Sequence, residues 1–182
     1  ELGFNVLRVG FHWHLYEPVA GSWNESYLDA VSAFVSRVNA AGIWVVLDMH
    51  QDSLCPFTCG HGVPSWAAHP AENETAYWTN GSSAFPLPWV RPEFDRSDCV
   101  AGGKYCRVVD CGNVSAGPFS WATAYLTPFV GAGFQRLYAP TSAGGTRDMF
   151  AAFWERIARR FAANSGVLAF ALLNEPWLGD VF

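Results

Sequence analysis

Three short apolar runs constrain this chain more than any other feature: Asn5-Val-Leu-Arg-Val-Gly10, Ile43-Trp-Val-Val-Leu-Asp-Met49 and Val167-Leu-Ala-Phe-Ala-Leu-Leu173. Each has the length and continuity of a strand buried on both faces. Between the first two, Tyr27, Leu28, Val31, Phe34, Val35 and Val38 recur at helical spacing. Ser22-Trp-Asn-Glu25 reads as a capping box ahead of that helix, and Gly42 as its stop. Before the third run, Thr146 is expected to cap a helix that carries Phe150, Phe153, Trp154, Ile157 and Phe161 on one stripe and ends near Gly166. Strands alternating with helices predict a parallel α/β sheet, without separating a closed barrel from an open doubly wound sheet. No glycine-rich phosphate fingerprint follows any of the runs, which speaks against a nucleotide-binding fold.

From His50 to about Gly145 the sequence is rich in Gly, Pro, Ser, Asn and Trp and shows no sustained period, so it reads as one very long connection. Loops beyond roughly 15 residues are usually functional or disordered, and the aromatics here favour a folded, functional one. All five cysteines, Cys55, Cys59, Cys99, Cys106 and Cys111, fall in this stretch. Sequons stand at Asn24, Asn73, Asn80 and Asn113. Clustered cysteines and sequons together predict disulfides and passage through a secretory pathway, so that the protein is secreted or lysosomal. Five is odd, so one cysteine is left over or pairs outside this sequence. Cys55-Pro-Phe-Thr-Cys59-Gly-His61 offers a zinc module as the alternative, but no matching second pair accompanies it. Glu1 opens on a segment that already reads as structure, so no signal peptide is visible there, and no apolar run approaches the roughly 18 residues of a membrane span.

A net charge of -5 with interspersed signs argues against a nucleic-acid partner. Nine tryptophans suit stacking on sugar faces, against the plainer reading of a large aromatic core. Polar groups gather where the runs end: Arg8 inside the first with His12 and His14 beyond it, Asp48, His50 and Asp52 at the second, Asn174 and Glu175 at the third. That is the face where parallel barrels carry their chemistry. Arg8 inside a buried strand is costly unless a carboxylate pairs with it, and such a pair could equally be a purely internal tie.

Asn174-Glu175-Pro176 after an apolar strand resembles the acid/base signature of glycoside hydrolase family 5. The likeness sharpens with Asn5-Val-Leu-Arg8, Trp13-His-Leu-Tyr-Glu17-Pro18, Asp48-Met-His50-Gln51-Asp52, Gly62-Val-Pro-Ser-Trp66-Ala and Leu172-Leu-Asn-Glu-Pro-Trp177, which together resemble the endoglycoceramidase branch. The resemblance implies an incomplete (β/α)8 TIM barrel covering about strands two to four, with a long insertion after strand three. Residues 1–182 would then be the N-terminal part of a single catalytic domain, and 50–145 a cysteine-containing active-site loop.

It further implies a retaining β-glycosidase acting on the glycan–ceramide linkage of glycosphingolipids, with a β-glucanase, a steryl glucosidase or a non-catalytic carbohydrate-binding protein as alternatives. Glu175 takes the acid/base position and Asn174 the place that bonds the sugar 2-hydroxyl. His50 and Asp52 match sugar contacts, and Arg8 matches the arginine that holds the nucleophile. Trp66, Tyr138 and Trp177 are expected against substrate, Tyr138 standing where related enzymes offer a tryptophan. The nucleophile is expected at the end of the seventh strand, outside this sequence, so the isolated chain should be inactive. Asp48 would support neighbouring strands or His50, and Glu17 would be structural. The expected partner is a glycolipid or oligosaccharide. Peripheral membrane contact is compatible with this, no obligate protein partner is evident, and no cofactor or metal is expected.

Overall fold

The computed structural model describes residues 3–56, 60–68, 125 and 128–179. Its centre is an open parallel sheet in the order β1 (Val6–Phe11), β2 (Trp44–Met49), β3 (Val167–Ala171). Five helices accompany it among the described residues: α1 (Trp13–Tyr16), α2 (Glu25–Ala40), α3 (Ser65–Ala68), α4 (Pro128–Tyr138) and α5 (Arg147–Phe161). The chain runs β1-α2-β2 and α5-β3, the arrangement expected of consecutive units of a (β/α)8 barrel.

The three runs form strands where their composition predicts, but they are not buried on both faces. Val9, Phe11, Val45, Leu47 and Met49 are buried, whereas Val6, Leu7, Leu168 and Phe170 are exposed. Side chains alternate across a strand, so odd positions of β1 and β2 share one face and even positions the other. The odd face is covered by helices. Phe11 stacks on Phe153 of α5 at 5.7 Å and meets Trp154 edge-on at 5.6 Å, while Trp13 lies 5.5 Å from Phe153. The even face carries Arg8, Gly10 and Asp48 and borders a cavity instead of a second layer. Register places Gly10 beside Asp48, and β2 beside β3 brings Asp48 next to Ala171.

Both helix starts differ from expectation. Asn24, not Ser22, is the N-cap of α2: its Oδ1 accepts from Tyr27 N at 3.2 Å, and its own N–H is held by Tyr16 O. Asparagine caps as well as serine does, and the Tyr16 contact fixes which of the two is used. Ser22 instead bridges to Val19. Thr146 does occupy the N-cap position of α5, yet its hydroxyl donates to Ala67 O at 3.3 Å rather than capping. Gly42 ends the first unit as predicted, at φ +76, where a side chain would be strained.

The long connection, which shows no sustained period in sequence, is partly helical. α4 buries Val130, Phe134 and Leu137, a helical spacing obscured in sequence by Gly131 and Gly133. A Cβ at Gly133 would lie 2.3 Å from Leu54 Cδ2, so a larger residue there would have to displace the Leu54 side chain. Of the cysteines, Cys55 is buried, while Cys59, Cys99, Cys106 and Cys111, like the sequons at Asn73, Asn80 and Asn113, lie outside the described residues.

Candidate functional site

The three strand ends converge at one rim. Asp48, fully buried at the end of β2, receives Arg8 Nη2 at 2.9 Å and His50 Nδ1 at 2.8 Å on the same oxygen. The pairing expected for Arg8 is therefore with Asp48, although the Arg8 side chain is half exposed and not sealed in the sheet. Arg8 Nη2 also donates to Asn174 Oδ1 at 2.5 Å, which ties β1 to β3 across β2. Arg8, Gly10, His12, Asp48, His50 and His61 line a cavity of about 340 Å³.

Beyond Asp48 the chain turns back on itself. Asp52 and His61 form an antiparallel bridge, with Asp52 N donating to His61 O at 3.0 Å and His61 N to Asp52 O at 2.9 Å. The bridge sets His61 Nε2 3.0 Å and His50 Nε2 3.5 Å from Asp52 Oδ2. Glycines make the approach feasible: a Cβ on Gly60 would lie 1.7 Å from Asp52 O, and one on Gly62 2.3 Å from Gln51 Cβ.

Glu175 sits in the turn after β3, exposed, with φ +42. A non-glycine residue in this left-handed region needs support from its surroundings. Gln51, fully buried, supplies it: its Nε2 donates to the carbonyls of Asn174 at 2.8 Å and Glu175 at 3.2 Å. Gln51 Oε1 in turn accepts from Leu54 N at 2.9 Å. Asn174 is engaged at both ends of its carboxamide, because Nδ2 donates to Gln51 O at 3.0 Å while Oδ1 takes Arg8. Burial raises the Tyr125 phenol, and the charges of Asp52 and Glu175 add to that rise. Glu175 follows directly on Asn174, whose carboxamide is bonded to Arg8, and does not itself line the cavity.

The remaining candidates have distinct surroundings. Trp66 lies edge-on to Trp13 at 5.5 Å, its indole N–H donates to Glu17 O at 3.1 Å, and it does not line the cavity. Glu17 is buried, accepting from Trp13 Nε1 and Gly21 N at 2.7 Å each, a structural arrangement. Tyr138 donates to Trp177 O at 2.6 Å, and burial pushes its phenol up to about 12. Trp177 packs 5.7 Å from Tyr125, so these rings group beside Glu175. Gln51 and His61 were not among the candidate site residues of the sequence. Gln51 appears there only as part of a motif, and His61 only within the alternative zinc module.

Burial, and then the charge of His12, holds His14 down at about 4 against an ordinary value of 6.5. The unfolded chain takes up a proton near pH 6.5 that the folded chain refuses until about pH 4. The associated stability is therefore complete above pH 6.5 and is lost as pH falls toward 4. His14 is only partly buried, so the expected loss is on the order of 1–2 kcal/mol. Urea unfolding between pH 7.5 and 4 checks this: the wild-type decline should flatten in His14→Gln, and identical slopes would exclude His14 as its source.

The family model "Cellulase (glycosyl hydrolase family 5)" matches residues 1–90. The chain is 34% identical over its full length to an endoglycoceramidase of Hydra vulgaris and 31% identical to one of Cyanea nozakii, covering 31% and 32% of those proteins. It thus spans about a third of the length of the curated relatives it matches. The structure superposes on endo-glycoceramidase II from Rhodococcus sp., in its complex with a five-membered iminocyclitol. The TM-score is 0.66 at 27% identity, over 98% of this chain and 32% of that one.

Proposed function

Because the chain belongs to glycosyl hydrolase family 5, with endoglycoceramidase-like homologues in sequence and in structure, we propose that the full-length protein is a retaining β-glycosidase. It releases glycans from ceramide, and Glu175 is its proton donor. The observation that supports this reading is that Glu175 stands in the turn after β3 with its backbone carbonyl held by Gln51, next to Asn174, which is bonded to the cavity-lining Arg8.

Retaining hydrolysis uses two carboxyl groups about 5 Å apart. One protonates the departing glycosidic oxygen, and the other attacks the anomeric carbon to form a covalent glycosyl-enzyme. Water then resolves that intermediate, the first carboxyl now acting as base. Glu175 takes the donor role, and the attacking carboxylate is expected from sequence beyond this chain. Arg8 is anchored to Asp48 and Asn174 while half exposed to the cavity, so its remaining N–H groups can orient that carboxylate. His50 and Asp52 present polar atoms at the rim for sugar hydroxyls. Tyr138 and Trp177 form an aromatic border beside Glu175 that suits a sugar face or the start of a lipid.

The substrate assignment draws on the names of the relatives and is tested on the full-length protein with a glycosphingolipid and a soluble β-glucan in parallel. Release of intact glycan from the glycolipid, with the glucan slower, is expected. Cleavage of the glucan alone would refute it.

A further inference from the structure

We propose that His50, Asp52 and His61 form a binding site for a divalent transition-metal ion of the Zn²⁺ type at the mouth of the cavity. One ligand atom from each, Nε2 of the two histidines and a carboxylate oxygen of Asp52, lies within 4.8 Å of the others. A tetrahedral ion holding its donors at roughly 2.0–2.2 Å sets them about 3.3–3.6 Å apart, so the widest gap has to close by roughly 1.2–1.5 Å. Side-chain rotation covers that distance.

Two features make this more than a chance gathering of polar groups. The backbone bridge between Asp52 and His61 fixes two ligands against each other before any ion arrives. Asp48 Oδ2 lies 2.8 Å from His50 Nδ1 and orients the ring so that Nε2 faces Asp52 Oδ2 at 3.5 Å. A carboxylate behind a histidine in this way orients it and raises its basicity as a ligand.

Two imidazoles and one carboxylate suit Zn²⁺, Ni²⁺ or Cu²⁺ over Ca²⁺ and Mg²⁺, which prefer all-oxygen sites. Each ligand side chain is partly exposed, His50 by 32%, Asp52 by 26% and His61 by 39%, so an ion can enter from the cavity and keep at least one water. The set differs from the Cys55–Cys59–His61 module considered from sequence. Binding of the ion does not depend on the glycosidase reading. If that reading also holds, the ion occupies the wall where sugar hydroxyls would dock, and metal and substrate exclude each other.

The test is titration of metal-free, tag-free full-length protein with Zn²⁺ by calorimetry and with Co²⁺ by visible absorption. One ion per chain is expected, weakened at least tenfold by His61→Ala and by Asp52→Asn and unchanged by His14→Gln. Absence of binding in the wild type, or binding that survives both His61→Ala and Asp52→Asn, would overturn the site. So would binding lost in His14→Gln. Glycosphingolipid hydrolysis assayed separately without metal keeps failure of the site distinct from failure of the proposed activity.

Discussion

Replacing Glu175 by Gln in the full-length protein is expected to lower kcat/KM on glycosphingolipid by about 10²- to 10⁴-fold, the range general acid catalysis supplies. That is roughly 3–5 kcal/mol of transition-state stabilisation. The amide keeps the size of the side chain and leaves the Gln51 contacts untouched, because those reach the backbone carbonyls of Asn174 and Glu175. What disappears is the transferable proton. An aryl glycoside with a strongly acidic phenol leaves without protonation, so the first step on that substrate should fall far less. Glycosyl-enzyme should then accumulate, because the second step still needs a base. Parallel kinetics on the two substrates check the assignment. Equal loss on both would mean that Glu175 acts through structure and not through its proton.

Gln51→Leu is expected to be the most damaging change that leaves every candidate polar contact with substrate in place. The amide joins the carbonyls of Asn174 and Glu175, the Tyr125 hydroxyl at 3.0 Å and Leu54 N–H in a region closed to solvent. Removing it strips several buried groups of a partner at once, and each such loss costs about 1–3 kcal/mol. A total near 3 kcal/mol is expected after relaxation, with kcat reduced roughly 10- to 100-fold as the Glu175 turn loosens from its φ of +42. KM should change little, since Gln51 is buried behind the site. Gln51→Glu keeps the acceptor for Leu54 N but turns an oxygen toward two carbonyls, so it should resemble the leucine variant. Thermal unfolding and steady-state kinetics together decide the matter. A variant with normal melting and normal kcat would remove Gln51 from any positioning role.

Much of the scaffold was legible because burial imposes period. The apolar runs became β1, β2 and β3, and the stripe from Phe150 to Phe161 became the buried face of α5. Legibility failed where a local rule yielded to a tertiary one. The capping serine gave way to Asn24 because Tyr16 O reaches it, and α4 was hidden because Gly131 and Gly133, poor helix formers, interrupt its apolar stripe. The strands were expected to be covered twice, yet their even positions carry the polar side chains that border the cavity.

At the site, the Arg8–Asp48 pair followed from a charge inside a strand, since such a charge demands a partner. Gln51 gave no comparable signal, being uncharged and flanked by more conspicuous residues. His61 depends on a backbone bridge to Asp52, which neither helical nor strand periodicity reveals. Trp66 had the right residue type for sugar stacking, but Trp13 and the Glu17 carbonyl claim its ring and its N–H.

The bridge between Asp52 and His61 has a further consequence for how the rim holds its shape. Its two hydrogen bonds, with His14 N donating to Gly62 O at 2.9 Å, stitch the chain to the rim. Residues inserted or deleted downstream of that seam would pull on a hem already sewn down, not on Asp52 or His50. Strain arriving from farther along the chain is therefore met first by this seam, and Asp52 and His61 keep their spacing as long as its bonds hold.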